Sequence, residues 1–184
     1  MIETILIAML AAKVKGYTLR PLFKSWTIYP ILGFELIYIF LQATVFLGNY
    51  RFIEYANILK SLYLCLFLIP IIKYKKYFSA MIGSIFIFIG SILNDIAIKY
   101  NNGKMPVFPK LSYWTGYVKE DSFTKINDIH VWGNSSTKLK FLTDIIDTGY
   151  SILSIGDVFI RVFVFIIIFN VIKHINLGNK FSNA

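Results

Sequence analysis

The sequence predicts an all-α membrane protein, a bundle of about five transmembrane helices, the first one short, with a loop-rich extracytoplasmic cap. Three observations predict it. Of 184 residues, 57% are hydrophobic and only 16% charged, with a mean hydropathy of +0.63, whereas soluble domains average about 45–50% and about 25%. Four apolar runs reach the roughly 20 residues that a spanning helix needs. The basic residues collect in alternate connections, as they do where charge fixes topology in a bilayer. A soluble enzyme and a disordered tail are both excluded. The net charge of +9 is assigned to those connections, so no nucleic-acid partner is expected.

Each element follows from the chain. Residues 1–14 are apolar apart from Glu3 and Lys13, too short for a straight crossing. With no basic residue ahead of the run and no small-residue cleavage site behind it, this segment reads as a retained, short or tilted first span. The long runs are residues 26–47, 52–72, 78–98 and 151–172. The organisation is one domain in three stretches: 1–98 with the first four spans, 99–150 as the extracytoplasmic segment, and 151–184 as the last span and cytoplasmic tail. Lys13, Lys15, Arg20 and Lys24 lie in the first connection, Lys73, Lys75 and Lys76 in the third, and Lys173 and Lys180 in the tail, against Arg51 alone in the second. That asymmetry places the first and third connections and the C-terminus in the cytoplasm. The segment 99–150 also carries Lys99, Lys104, Lys110, Lys119, Lys125, Lys138 and Lys140, but long loops translocate largely regardless of charge. Gly103, Pro106, Pro109, Gly116, Gly133 and Gly149 punctuate it with turns, and Ile129, Val131 and Trp132 suggest a short hairpin. Tyr113, Trp114, Tyr117 and Trp132 are suited to resting it on the membrane interface.

Charged groups inside apolar runs are the informative ones. Glu35 lies nine residues past Trp26 and Lys60 eight past Phe52, which in antiparallel helices puts both near mid-membrane as a buried charge pair. Asp157 and Arg161, four residues apart, share a helix face and form a second expected pair. Asn94 and Asp95 end the third long span near the depth at which Asp157 enters. Asp95 and Asp157 are thus candidate catalytic residues, a proton-sharing dyad in which one carboxylate activates water; the alternative is a capped helix end and an Asp157 neutralised by Arg161. His130 with nearby Asp128 is a candidate pH-sensitive group or metal ligand, but no second His or Cys stands at metal-ligand spacing, and the pair reads as solvated polar groups. The single Cys65 permits no internal disulfide. No metal and no cofactor are expected.

Two stretches carry a resemblance. The run Asn101-Asn102-Gly103-Lys104-Met105-Pro106-Val107 and the Ser154-Ile155-Gly156-Asp157 that opens the last span resemble an uncharacterised bacterial membrane family, domain of unknown function 5317, over nearly the whole chain. That family's marker reads Asn-Gly-Gly-x-Met-Pro-Val, and here Asn102 stands at the first Gly. The resemblance implies a bacterial cell-membrane location and carries over Asn101, Gly103, Met105, Pro106, Gly156 and Asp157; it implies a fold and no reaction. A weaker likeness is to the lipoprotein signal peptidase, a four-span aspartic protease with one Asp ending its third span and another opening its fourth. Asp95 and Asp157 are similarly placed, but Asn94 adjoins Asp95 directly and Ser154 stands where that enzyme has Asn.

Three classes of function stay open. The favoured one is a non-enzymatic membrane subunit or binding protein. Its polar site at the outer boundary would be built from Asn94, Asn101, Gly103, Met105, Pro106, Gly156 and Arg161, taking a lipid-linked or amphipathic ligand or another membrane protein. The others are an intramembrane aspartic hydrolase using Asp95 and Asp157, and a small proton- or ion-coupled transporter using Asp157, Arg161, Glu35 and Lys60.

Overall fold

The computed structural model describes residues 1–120, 122–125 and 128–182 and shows a mostly helical chain with a few short strands. The side chains of Lys125 and Lys180, counted in the topology argument, and residues 183–184 of the expected tail lie outside the described residues.

Among the described residues, three helices are long and apolar enough to cross a membrane. Two of them are α3, Tyr29–Phe46, which a 3-10 turn at Trp26–Ile28 precedes, and α6, Tyr77–Tyr100; the third is α9, Ile155–Ser182. All three fall on expected runs, α9 starting at Ile155 rather than at 151 because Ser154 caps it. α1, Ile2–Val14, is the short first helix.

The run 52–72 departs from expectation. It divides into a 3-10 turn at Ile53–Tyr55, α4 at Ala56–Leu66 and α5 at Leu68–Lys73. Pro70 is the cause: its ring has no N–H and crowds the carbonyl four residues back, at Leu66. The helix breaks at that carbonyl, and the Phe67 N–H donates instead to Leu64 O at 3.2 Å.

The chain divides into two compact units. The first comprises Met1–Ile37, Leu59–Ile87 and Arg161–Ala184. Its core is apolar and tight, with Ile5, Leu22, Ile31, Tyr63, Phe67, Val164, Ile167 and Ile172 all buried. Tyr63, Phe67 and Phe163 meet edge to face at 5.3 and 5.7 Å, the geometry aromatic rings prefer.

The second unit comprises Tyr38–Ile58 and Phe88–Ile160. It contains the segment expected to be loop-rich, which carries two small sheets and, as short as α2 at Arg20–Lys24 in the first unit, the helices α7 at Leu111–Trp114 and α8 at Ser122–Lys125. Strand β1, Met105–Val107, pairs with β2, His130–Trp132, in parallel rather than as the expected hairpin. A parallel pair needs a crossover of a dozen or more residues, and the stretch holding α7 and α8 supplies it. The antiparallel pair is β3, Ile146–Asp147, with β4, Ile152–Leu153.

Candidate functional site

The two marker stretches each close a helix end. At the start of α9, the Asp157 N–H donates to Ser154 Oγ at 2.9 Å and the Ser154 N–H to Asp157 Oδ2 at 3.3 Å. This reciprocal pair is a capping box, satisfying helix N–H groups that have no partner within the helix. Ser154 Oγ also donates to Asn94 Oδ1 at 2.7 Å, and Asn94 Nδ2 approaches Asp157 Oδ1 at 3.4 Å. Gly156 is there for contact: a Cβ on it would stand 2.5 Å from Gly90 O and 2.6 Å from Asn94 Cγ. Small residues let two helix backbones approach this closely in a membrane.

The other stretch ends α6. The Gly103 N–H donates to Ile98 O at 2.9 Å across Asn102, which sits at φ 57. This is a Schellman-type close whose left-handed position favours Gly and next Asn, and Asn102 fills it here. Asn101 then ties that turn to another segment, Nδ2 donating to Ala97 O and Lys138 O at 2.8 and 2.9 Å and Oδ1 accepting from Lys138 N–H at 2.9 Å. Met105 is buried against Ala97 and Leu142.

Asp95 is exposed on α6, whereas its neighbour Asn94 is the residue that reaches Asp157. Successive helical residues point about 100° apart, so only one of them can meet a given partner. Asp157 is engaged by the Asn94 amide and by the Ser154 N–H at the start of α9.

Other charged groups meet within the first unit. Arg161 Nη1 bonds Glu3 Oε2 at 3.0 Å. The buried Glu35 accepts from Tyr63 Oη at 2.6 Å and stands 3.9 Å from the Met1 ammonium; that ammonium lies 3.1 Å from Glu3. Glu3, on the short α1, had no place in the depth reasoning that put Glu35 with Lys60.

A different cluster emerges in the second unit, and backbone pairing builds it. β1 sets Met105 opposite His130 on one edge. On the other, the Asp144 N–H donates to Pro106 O at 3.1 Å and the Phe108 N–H to Asp144 O at 2.9 Å. Pro106 is tolerated because its carbonyl, not an N–H, serves that edge. The marker's Met-Pro-Val strand thus separates His130 from Asp144 by one strand on either side. Their side chains meet, His130 Nε2 lying 3.4 Å from Asp144 Oδ2 while Nδ1 lies 2.5 Å from Asp128 Oδ2. Asp128 is itself positioned by the Ile129 N–H at 2.6 Å.

Burial would lower the pKa of His130, but hydrogen bonds and charge from Asp128 and Asp144 outweigh it and raise it from 6.5 to about 10. Asp128 shows the converse: burial pushes it up, and the His130 bond, the Ile129 N–H and nearby Lys104 hold it below its ordinary value. At neutral pH the imidazolium is flanked by a carboxylate at each nitrogen, and carboxylate oxygens can accept more than one hydrogen bond.

This cluster borders a cavity of about 290 Å³. Asp128, His130 and Asp144 are its charged members, while Val45, Val107, Val118, Phe123 and Ile152 supply apolar wall. Tyr50 and Ser122, also lining it, bond each other at 2.9 Å. Burial first, then Tyr50, raises Tyr117 to about 12, so this lining phenol stays protonated and able to donate. Sequence reasoning saw Asp128 beside His130 and missed Asp144. No local signal marks it, because it arrives through the far edge of β1.

With this geometry in place, the chain belongs to the family of unknown function DUF5317, whose model matches residues 20–169. No curated protein and no solved structure matches it, and the likeness to the lipoprotein signal peptidase has no support.

Proposed function

We propose that this member of the DUF5317 family is a multi-pass protein of the bacterial cell membrane. In this reading it is a binding protein or subunit that holds a small amphipathic molecule in the cavity beside His130. The single observation that carries the reading is the cavity itself: apolar walls with one compact charged group, the composition of ligand sites in general. Its volume is at the small end for such sites, suited to a head group or a short chain rather than a whole lipid. Asp128 and Asp144 would accept hydrogen bonds from the polar end, and Val118, Phe123 and Ile152 would hold the apolar end.

The membrane assignment draws on the three apolar helices and on the outward stripe of α6, where Phe78, Met81, Ile85, Phe88 and Ile92 are all exposed. Spacings of three and four residues put them on one face, and lipid is the solvent that such a face fits. In this reading α1 and the broken α4–α5 pair complete five spans, and the segment 99–150 faces outward, opposite the basic connections.

Native mass spectrometry of the protein purified from its own membrane in mild detergent tests this. The wild type and Asp157→Asn should both carry an adduct of fixed mass, and Val118→Trp or Val45→Phe, which fill the cavity from two different elements, should lose it. Equal adducts on all four proteins would overturn the reading.

A further inference from the structure

A second site is written in the charges of the first unit. Its only carboxylates are Glu3 and Glu35, and those are engaged by Met1, Arg161 and Tyr63. Six further cations of the unit lie on three segments that the fold ties together. Thr18 N–H and Oγ1 both donate to Asn176 Oδ1, at 2.8 and 2.9 Å. Ser25 Oγ and Tyr74 Oη share a hydrogen bond of 2.5 Å, and the Tyr74 ring meets that of His174 at 5.7 Å. These links join the connection bearing Arg20 and Lys24, the turn bearing Lys73, Lys75 and Lys76, and the stretch of α9 bearing Lys173.

The cations at this end repel one another, and among the described residues of the unit both acidic side chains, Glu3 and Glu35, are engaged by other groups. Lys76, half-buried, is held below its ordinary pKa by burial and then by Lys173. Lys75 occupies a left-handed position at φ 52, where Gly would be free of strain. Around the same segments Phe23, Trp26, Tyr29 and Tyr77 are exposed; aromatic and amphipathic rings of this kind sit at head-group depth.

We propose that this basic, aromatic-rimmed end of the first unit binds the phosphate head groups of anionic phospholipids, with Lys76 and Lys173 at its centre and Lys24 and Lys73 beside them. The proposal rests on the membrane reading above and is independent of the His130 cavity. Basic pockets between spanning helices are a known way to hold such head groups, and lipid phosphate supplies countercharge to this cluster of cations.

Reconstitution in nanodiscs of mixed phosphatidylglycerol and phosphatidylcholine, followed by mass analysis of the lipids retained, tests it. The wild type should enrich phosphatidylglycerol about tenfold. Lys24→Gln/Lys73→Gln/Lys76→Gln/Lys173→Gln should fall to within about twofold of no preference. Lys99→Gln/Lys110→Gln/Lys119→Gln/Lys138→Gln, with the same change in net charge, should keep the enrichment. Lys76→Arg/Lys173→Arg should keep it too, which separates lost charge from lost folding. Full enrichment in the first variant, or equal loss in the second, would overturn the lipid site. Release of the wild type from membranes by alkaline carbonate would overturn the membrane reading itself, whereas retention without any lipid preference would overturn only this site.

Discussion

Within the second unit, the Asn94, Ser154 and Asp157 cluster and the Asp128, His130 and Asp144 cluster are made of much the same kinds of side chain, yet they do different work. In the first, the polar groups answer one another and a helix terminus, with Gly156 pressed against Gly90 O and Asn94. In the second, an imidazole lies between two carboxylates on the wall of a cavity of about 290 Å³. In the proposed reading a charged residue serves binding where it borders space, and architecture where it caps a helix or fills a crossing. Asp157, conspicuous in the sequence, caps α9, while the Met-Pro-Val run carries the strand between His130 and Asp144 and lends Val107 to the cavity wall.

The largest effect expected from breaking this comparison is at the helix crossing. Gly156→Val would drive a branched side chain into Asn94 and the Gly90 carbonyl, and overpacking of this kind costs about 3 kcal/mol. Thermal melting in detergent should show a large loss of folded protein. Gly178→Ala, where an added Cβ meets nothing within 4 Å, should leave the melting temperature unchanged or higher. Equal behaviour of the two variants would show that the crossing is not tight.

A smaller effect is expected at the cavity, and pH reveals it. The folded pKa of His130, about 10, lies above its ordinary 6.5. The stability gained by holding that proton is therefore fully present below about pH 6.5 and is lost as pH rises through about 10. Melting from pH 7 to pH 11 should show the wild type losing more than His130→Gln over that window. Parallel curves would mean that His130 is not paired with its carboxylates in the folded state.

Much of the architecture was legible in the sequence. Lipid demands about 20 consecutive apolar residues, so α3, α6 and α9 stand out as runs. The break in 52–72 was signalled by Pro70, which a count of apolar residues passes over. Ser154 with Asp157 has the spacing of a capping box, and Asn102-Gly103 that of a left-handed helix end, so both marker stretches had a local reading. Partner choice was not legible. Arg161 finds Glu3 on another helix, and Asp144 reaches His130 only because β1 pairs on both its edges. Such contacts depend on helix rotation and on a parallel crossover, neither of which has a period in the chain.

The most direct measurement is an experimental structure of the protein purified from its own membrane in mild detergent. The account predicts density for a small molecule in the cavity lined by Val118 and Ile152. Its polar end should lie about 3 Å from a carboxylate oxygen of Asp128 or Asp144, with Asn94, Ser154 and Asp157 still bonded to one another. A ligand seated instead on Asn94 and Asp157, with side chains filling the space beside His130, would contradict it.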